Sequence, residues 1–122
     1  MSPRVPSVLV LDGADVPPVF QARGGVVHRA YNMLQAGALL ASVRPDVVLI
    51  DAARRWHLRF VQALPAGAGP PVVALGESPE LRGSSAQSLS RAATDEQLVA
   101  ALVRVARAGV RPGEGLADAR AA

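Results

Sequence analysis

Pro45-Asp46-Val47-Val48-Leu49-Ile50-Asp51 is a short proline-led run, uninterruptedly apolar from Val47 to Ile50 and closed by an aspartate. Ser7-Val8-Leu9-Val10-Leu11-Asp12 follows the same pattern near the start of the chain. A strand that is apolar at nearly every position, rather than at every second one, is covered on both faces, as in a parallel sheet wrapped by helices. In open sheets of that kind ligands and chemistry gather just outside the carboxyl ends of the strands, which is where Asp12 and Asp51 are expected. Val72-Val73-Ala74-Leu75, ending at Gly76, reads as another buried strand. Val26 to Tyr31 is more polar and reads as a strand near a sheet edge, and Gln87 to Arg91 as a short, weak fifth one.

The segments between these strands read as helices of unequal length. Only Val19 to Arg23 is free for a first helix before Gly24-Gly25 stops it. Asn32 is placed to cap a helix with the stripe Met33, Ala36, Gly37 and Leu40, which Arg44-Pro45 ends. Ala53 to Leu64 sets Trp56, Phe60, Ala63 and Leu64 on one face. Ser78 to Ala86 is too short and polar for a full helix. The clearest helix comes last: Thr94 with Gln97 forms a capping box, Asp95 and Glu96 sit at the positive end of the helix dipole, and Leu98, Ala101, Leu102 and Val105 form the core stripe. Gly109 suits a left-handed cap.

Composition narrows the function. The 122 residues fit one domain with a sizeable core. Half are hydrophobic but only 3% are aromatic, so that core is built from Val, Leu and Ala. The absence of Cys excludes disulfides, zinc thiolates and thiol catalysis. His28 and His57 lack a convergent set of carboxylates, so no metal site is expected from them. Thirteen basic residues, all Arg, against 10 acids give a net charge of +3, and the only close set is Arg54, Arg55 and Arg59. That scatter reads as solvated faces, and a nucleic-acid partner ranks last. No apolar run is long enough to span a membrane and no export leader opens the chain, so a cytoplasmic, bacterial-type protein is expected.

The order of strands and helices, with aspartates closing strands one and three, resembles the receiver domain of bacterial two-component response regulators over roughly residues 7 to 108. Arg44 to Asp51 is the most specific stretch, and Val8 to Asp12 and Pro71 to Leu75 also fit. The resemblance implies a flavodoxin-like (βα)5 doubly wound parallel α/β sheet, here with shortened first and fourth helices. Residues 1–108 are expected to form this receiver-like domain and 109–122 a flexible tail. The resemblance places Asp51 at the phosphoacceptor position and Asp12 as the first of an acidic pair that helps bind Mg²⁺. Gly13 then replaces the second acid, Gly76 the hydroxyl residue that ends strand four, and Arg91-Ala92 the Lys-Pro pair that ends strand five.

A carboxylate that attacks a phosphoryl donor needs a divalent cation and a further positive charge to offset repulsion. The substitutions remove a metal ligand, the hydroxyl and the compact ammonium, for which the planar fork of Arg91 is no simple replacement. The reading is therefore an atypical, or pseudo-, receiver: a non-enzymatic signalling module that acts by protein contact, with Asp51 inert and Asp12 paired with Arg91 across the crevice. No cofactor is expected, and Mg²⁺ only if Asp51 is phosphorylated. By resemblance the output surface comprises Ser88, Ser90, Arg91, Arg104 and Arg107, facing a protein partner or a second copy. Two alternatives stay open. One is a phosphorylatable receiver using Asp51, and the other a small-ligand or anion binder using Asp12, Asp51, Arg54, Arg55 and Arg91.

Overall fold

The computed structural model describes residues 6–64 and 69–109. Five parallel strands form one sheet in the order β2-β1-β3-β4-β5: β1 (Ser7–Leu11), β2 (Val26–Ala30), β3 (Val47–Asp51), β4 (Val72–Leu75) and β5 (Gln87–Leu89). The helices are α1 (Pro18–Ala22), α2 (Met33–Val43), α3 (Arg55–Ala63) and α4 (Asp95–Gly109), and a 3-10 turn at Pro79–Leu81 stands in the fourth crossover. This is the flavodoxin-like arrangement, with its first helix reduced to five residues and its fourth to that turn. Of the expected tail 109–122, Gly109 instead ends α4 and the remainder lies outside the described residues.

Side-chain alternation divides the core into two layers. Leu9, Leu11, Val48, Ile50 and Ala74 face α2, α3 and the turn, and Val8, Val10, Val47, Leu49 and Val73 face α1 and α4. The three central strands are thus buried on both sides, which is why their sequences show no polar alternation. At the amino ends Asp46 Oδ2 accepts from the Ser7 N–H at 2.8 Å and ties β1 to β3.

Local signals explain the helix ends. Asn32 accepts from the Gln35 N–H at 2.8 Å, and α2 stops where Arg44 turns left-handed (φ 49°) ahead of Pro45. Thr94 and Gln97 cap α4 reciprocally, at 2.8 and 3.1 Å. Its stripe Leu98, Ala101, Leu102 and Val105 is buried, together with Val99 and Ala106.

Two stripes lie elsewhere than the pattern suggested. In α3 the buried residues are His57, Leu58, Phe60 and Val61, while Trp56 and Leu64 are half-buried and Ala63 is exposed. The helix starts directly after a tight turn from Asp51 and carries a polar imidazole into the interior, which apolar periodicity assigns to the surface. In α2 only Ala36 is fully buried; Leu39, Leu40 and Val43 are half-buried, and Met33 and Gly37 are exposed. The first turn of α2 adjoins the edge strand β2, where less sheet is available to cover it. The fifth strand also stops at Leu89, short of the expected Arg91.

Candidate functional site at the carboxyl edge of the sheet

Asp51 ends β3 and is nearly buried, with 11% of its side chain exposed. Its Oδ1 accepts from the Ala53 N–H at 2.9 Å, so part of its role is to close the turn into α3. The same oxygen accepts from Arg91 Nη2, and Arg54 Nε stands 3.9 Å from Oδ2. Burial favours the protonated acid. The hydrogen bonds from Arg91 and Ala53 and the charges of Arg91 and Arg54 outweigh it, holding the Asp51 carboxyl below the usual carboxylate range.

Two glycines make room for the guanidinium groups. Gly13 (φ +112°) lies under Arg54, where a Cβ would come within 2.8 Å of Nε. Gly76 (φ +89°) lies under Arg91, where a Cβ would come within 2.9 Å of Nε. Both positions favour glycine for their backbone conformation, and a side chain there would also have to move the flexible guanidinium group above it. By resemblance to receivers these glycines stand where an acid and a hydroxyl residue are expected; here the guanidinium groups of Arg54 and Arg91 fill the space.

Asp12 is not paired with Arg91. Its carboxylate faces Arg29 Nη1 of β2 at 3.5 Å, and Arg29 also reaches the Ala14 carbonyl at 3.2 Å and Asp15 Oδ1 at 3.4 Å. The strand order explains the correction. Arg29 is on the strand next to β1, whereas Arg91 follows β5, three strands away at about 4.8 Å per strand. Asp51, one strand closer, intercepts it.

The residue that sequence reasoning missed is His57. Its ring is fully buried; Nδ1 accepts from the Asp51 N–H at 2.9 Å, and Nε2 consequently donates to the Asp12 carbonyl at 2.8 Å. One imidazole thus joins the carboxyl ends of β1 and β3. Burial and the Arg54 charge push its pKa down, against the Asp12 carbonyl and the charges of Asp51 and Asp12. The neutral ring suits a site where one nitrogen must accept. Trp56 packs edge-on against it, with ring centroids 4.5 Å apart.

The side chains present do not fit a divalent cation. Gly13 and Gly76 offer no side-chain oxygen, Asp51 is bonded by Arg91 with the Arg54 charge 3.9 Å away, and no group of three or more His, Cys, Asp or Glu suited to a metal occurs among the described residues. Of the expected output residues, Ser88, Ser90, Arg104 and Arg107 are exposed, and Arg91 is half-exposed with its head turned towards Asp51. Ser90 and Arg104 flank a shallow groove of about 400 Å³ between β5 and α4, floored by Leu89, Ala93 and Ala101. Arg55 and Arg59 are exposed on α3. Among the described residues no helix is long and apolar enough to cross a membrane.

No protein-family model matches the chain, and no curated protein does. Solved structures do. The chemotaxis response regulator CheY4 of Vibrio cholerae is 25% identical with a TM-score of 0.63, the match covering 81% of this chain and 97% of that one. The pseudo-receiver domain of the CikA protein is also 25% identical, with a TM-score of 0.62 and 84% and 97% covered. The receiver domain of the sensor histidine kinase PA1611 from Pseudomonas aeruginosa, solved with magnesium in its active-site cleft, is 19% identical, with a TM-score of 0.54 and 84% and 98% covered.

Proposed function

Because this chain is a CheY-like domain of the receiver or pseudo-receiver type, we propose that it is a pseudo-receiver, a non-enzymatic bacterial signalling module that works by protein contact without phosphorylation of Asp51. The observation that carries this reading is the occupation of Asp51 by Arg91 and Arg54, seated over Gly76 and Gly13. Phosphoryl transfer to a carboxylate needs a metal to hold the incoming group and offset its charge. Here the positive charge comes from the chain itself and is always present. A domain with its crevice neutralised in this way transmits through its surface, and the face assigned to a protein partner is the groove between β5 and α4, lined by Ser90 and Arg104, together with exposed Ser88 on β5 and Arg107 on α4. Location in the cytoplasm belongs to the same proposal.

Intact-mass measurement after incubation with Mg²⁺ and a small phosphodonor tests it. The expected mass is unchanged. A gain of one phosphate in the wild type that is absent from Asp51→Asn overturns the reading in favour of a phosphorylatable receiver.

A further inference from the structure

The exposed large apolar side chains among the described residues are Val26, Tyr31, Met33 and Leu34, at 50, 60, 39 and 87% exposure. They lie at the two ends of β2 and in the first turn of α2, on the opposite side of the sheet from the groove beside β5. β2 is the longer of the two edge strands, five residues against three.

The hydrogen bonds define how much of that edge is open. The Asp12 N–H donates to the Ala30 carbonyl at 2.8 Å, which turns the polar groups of Ala30, and by alternation those of His28 and Val26, towards β1. Those of Val27 and Arg29 point away from the sheet. At either side the outward groups are already used: Gly25 N–H donates to the Phe20 carbonyl at 3.0 Å, and Tyr31 N–H to Gln35 Oε1 at 2.7 Å. Edge strands are commonly guarded by a charge standing across them. The only charge on this strand, Arg29, is drawn back over its own chain by Asp12, Asp15 and the Ala14 carbonyl.

We propose that β2 is the interface of a two-fold dimer, pairing antiparallel with β2 of a second copy about His28. In that register Val27 faces Arg29 of the other copy and Arg29 faces Val27, each a hydrogen-bonded pair, so the four outward N–H groups and four outward carbonyls contributed by the two strands form four bonds. Centring on Val27 or Arg29 instead competes with the bonds already held by Gly25 or Tyr31, and the second choice sets two arginines opposite each other. The two-fold also brings Val26 of each copy to the Ala30–Tyr31 end of the other, so apolar positions that are separate on one chain meet across the axis. Charge does not oppose the pairing: at the carboxyl end of β2 Arg29 is met by Asp12 and Asp15, and Arg23, ahead of the amino end, is met by Glu96. The proposal goes beyond the partner face at β5 and α4 and does not depend on it.

Sedimentation of the full chain over a concentration series tests the interface. A monomer–dimer equilibrium is expected, together with hydrogen-exchange protection of the Val27 and Arg29 amides that rises with concentration while that of Gln87–Leu89 does not. Val27→Pro removes an outward N–H and no bond within the chain, and it should raise the dissociation constant at least about tenfold. His28→Glu, which sets two carboxylates opposite each other at the axis, should do the same and keeps the test valid if the proline unfolds the chain. Arg104→Glu combined with Arg107→Glu should leave the dimer intact. A wild type that stays monomeric at millimolar concentration overturns the proposal, as does a dimer that survives both Val27→Pro and His28→Glu.

Discussion

Asp51 is fastened in two ways that differ in kind. Its backbone N–H is bound by an imidazole with no exposed surface, which also holds the Asp12 carbonyl. Its carboxylate is bound by arginines whose side chains are 51 and 56% exposed. The floor of the crevice is therefore part of the core, where an unmet polar group has a large cost, and the mouth is a solvated ion cluster, where pairs are screened and individually weak. The fold does not depend on what the carboxyl edge does chemically, so the chemistry there can change while the scaffold persists.

The largest effect is expected below the floor. Leu102 of α4 is fully buried against the layer that contains Val47 and Leu49, and Leu102→Ala should cost about 2 to 5 kcal/mol in denaturant unfolding. A loss below about half a kcal/mol would show that α4 does not support β3. His57→Ala should follow at about 2 to 4 kcal/mol, since it strands the Asp51 N–H and the Asp12 carbonyl in the interior. Asp51→Asn should cost less than about 1 kcal/mol, because its partners are half in water and an asparagine oxygen still accepts from Ala53. If Asp51→Asn matched His57→Ala, floor and mouth would be a single unit and the contrast would fail.

Acid separates the two fastenings in a further way. His57 is held neutral with its pKa below the usual 6.5, so the unfolded chain binds this proton first; stability is full well above that pH and declines as pH falls below it. The Asp51 carboxyl is lowered from 3.8, so its contribution is present above that value and is lost as the pH falls through its folded value. Urea unfolding across this range should show two separate declines. The upper one should disappear in His57→Ala while the lower one remains.

The strands and α4 were legible because their signals are local: unbroken apolar runs for β1, β3 and β4, and a capping box for α4. The gathering of Asp51, Arg54 and Arg91 at one crevice was legible too, once the order of strands had brought Arg91 to the same edge, although Arg91 had been expected on Asp12. The partner of Asp12 was not, because it depends on β2 lying beside β1 with Arg29 opposite Val10, a register that no composition encodes. His57 was hidden for another reason. A buried polar side chain breaks the apolar stripe that periodicity seeks, and its two bonds go to backbone groups that carry no residue identity. Met33 misled in the opposite direction, as an apolar residue at core spacing on a turn that the sheet edge leaves exposed.

Gly13 and Gly76 also constrain the order in which this crevice could acquire an acid and a hydroxyl residue. An acidic residue at 13 or a hydroxyl residue at 76 would meet Arg54 or Arg91 at under 3 Å, on backbone that side chains rarely adopt. Each such replacement therefore carries backbone strain and must also push the flexible arginine end above it aside, and removing the arginine first leaves Asp51 less neutralised. Every single step away from the present arrangement costs something before any second step can compensate, so the four residues Gly13, Arg54, Gly76 and Arg91 are expected to be inherited, or lost, as a set.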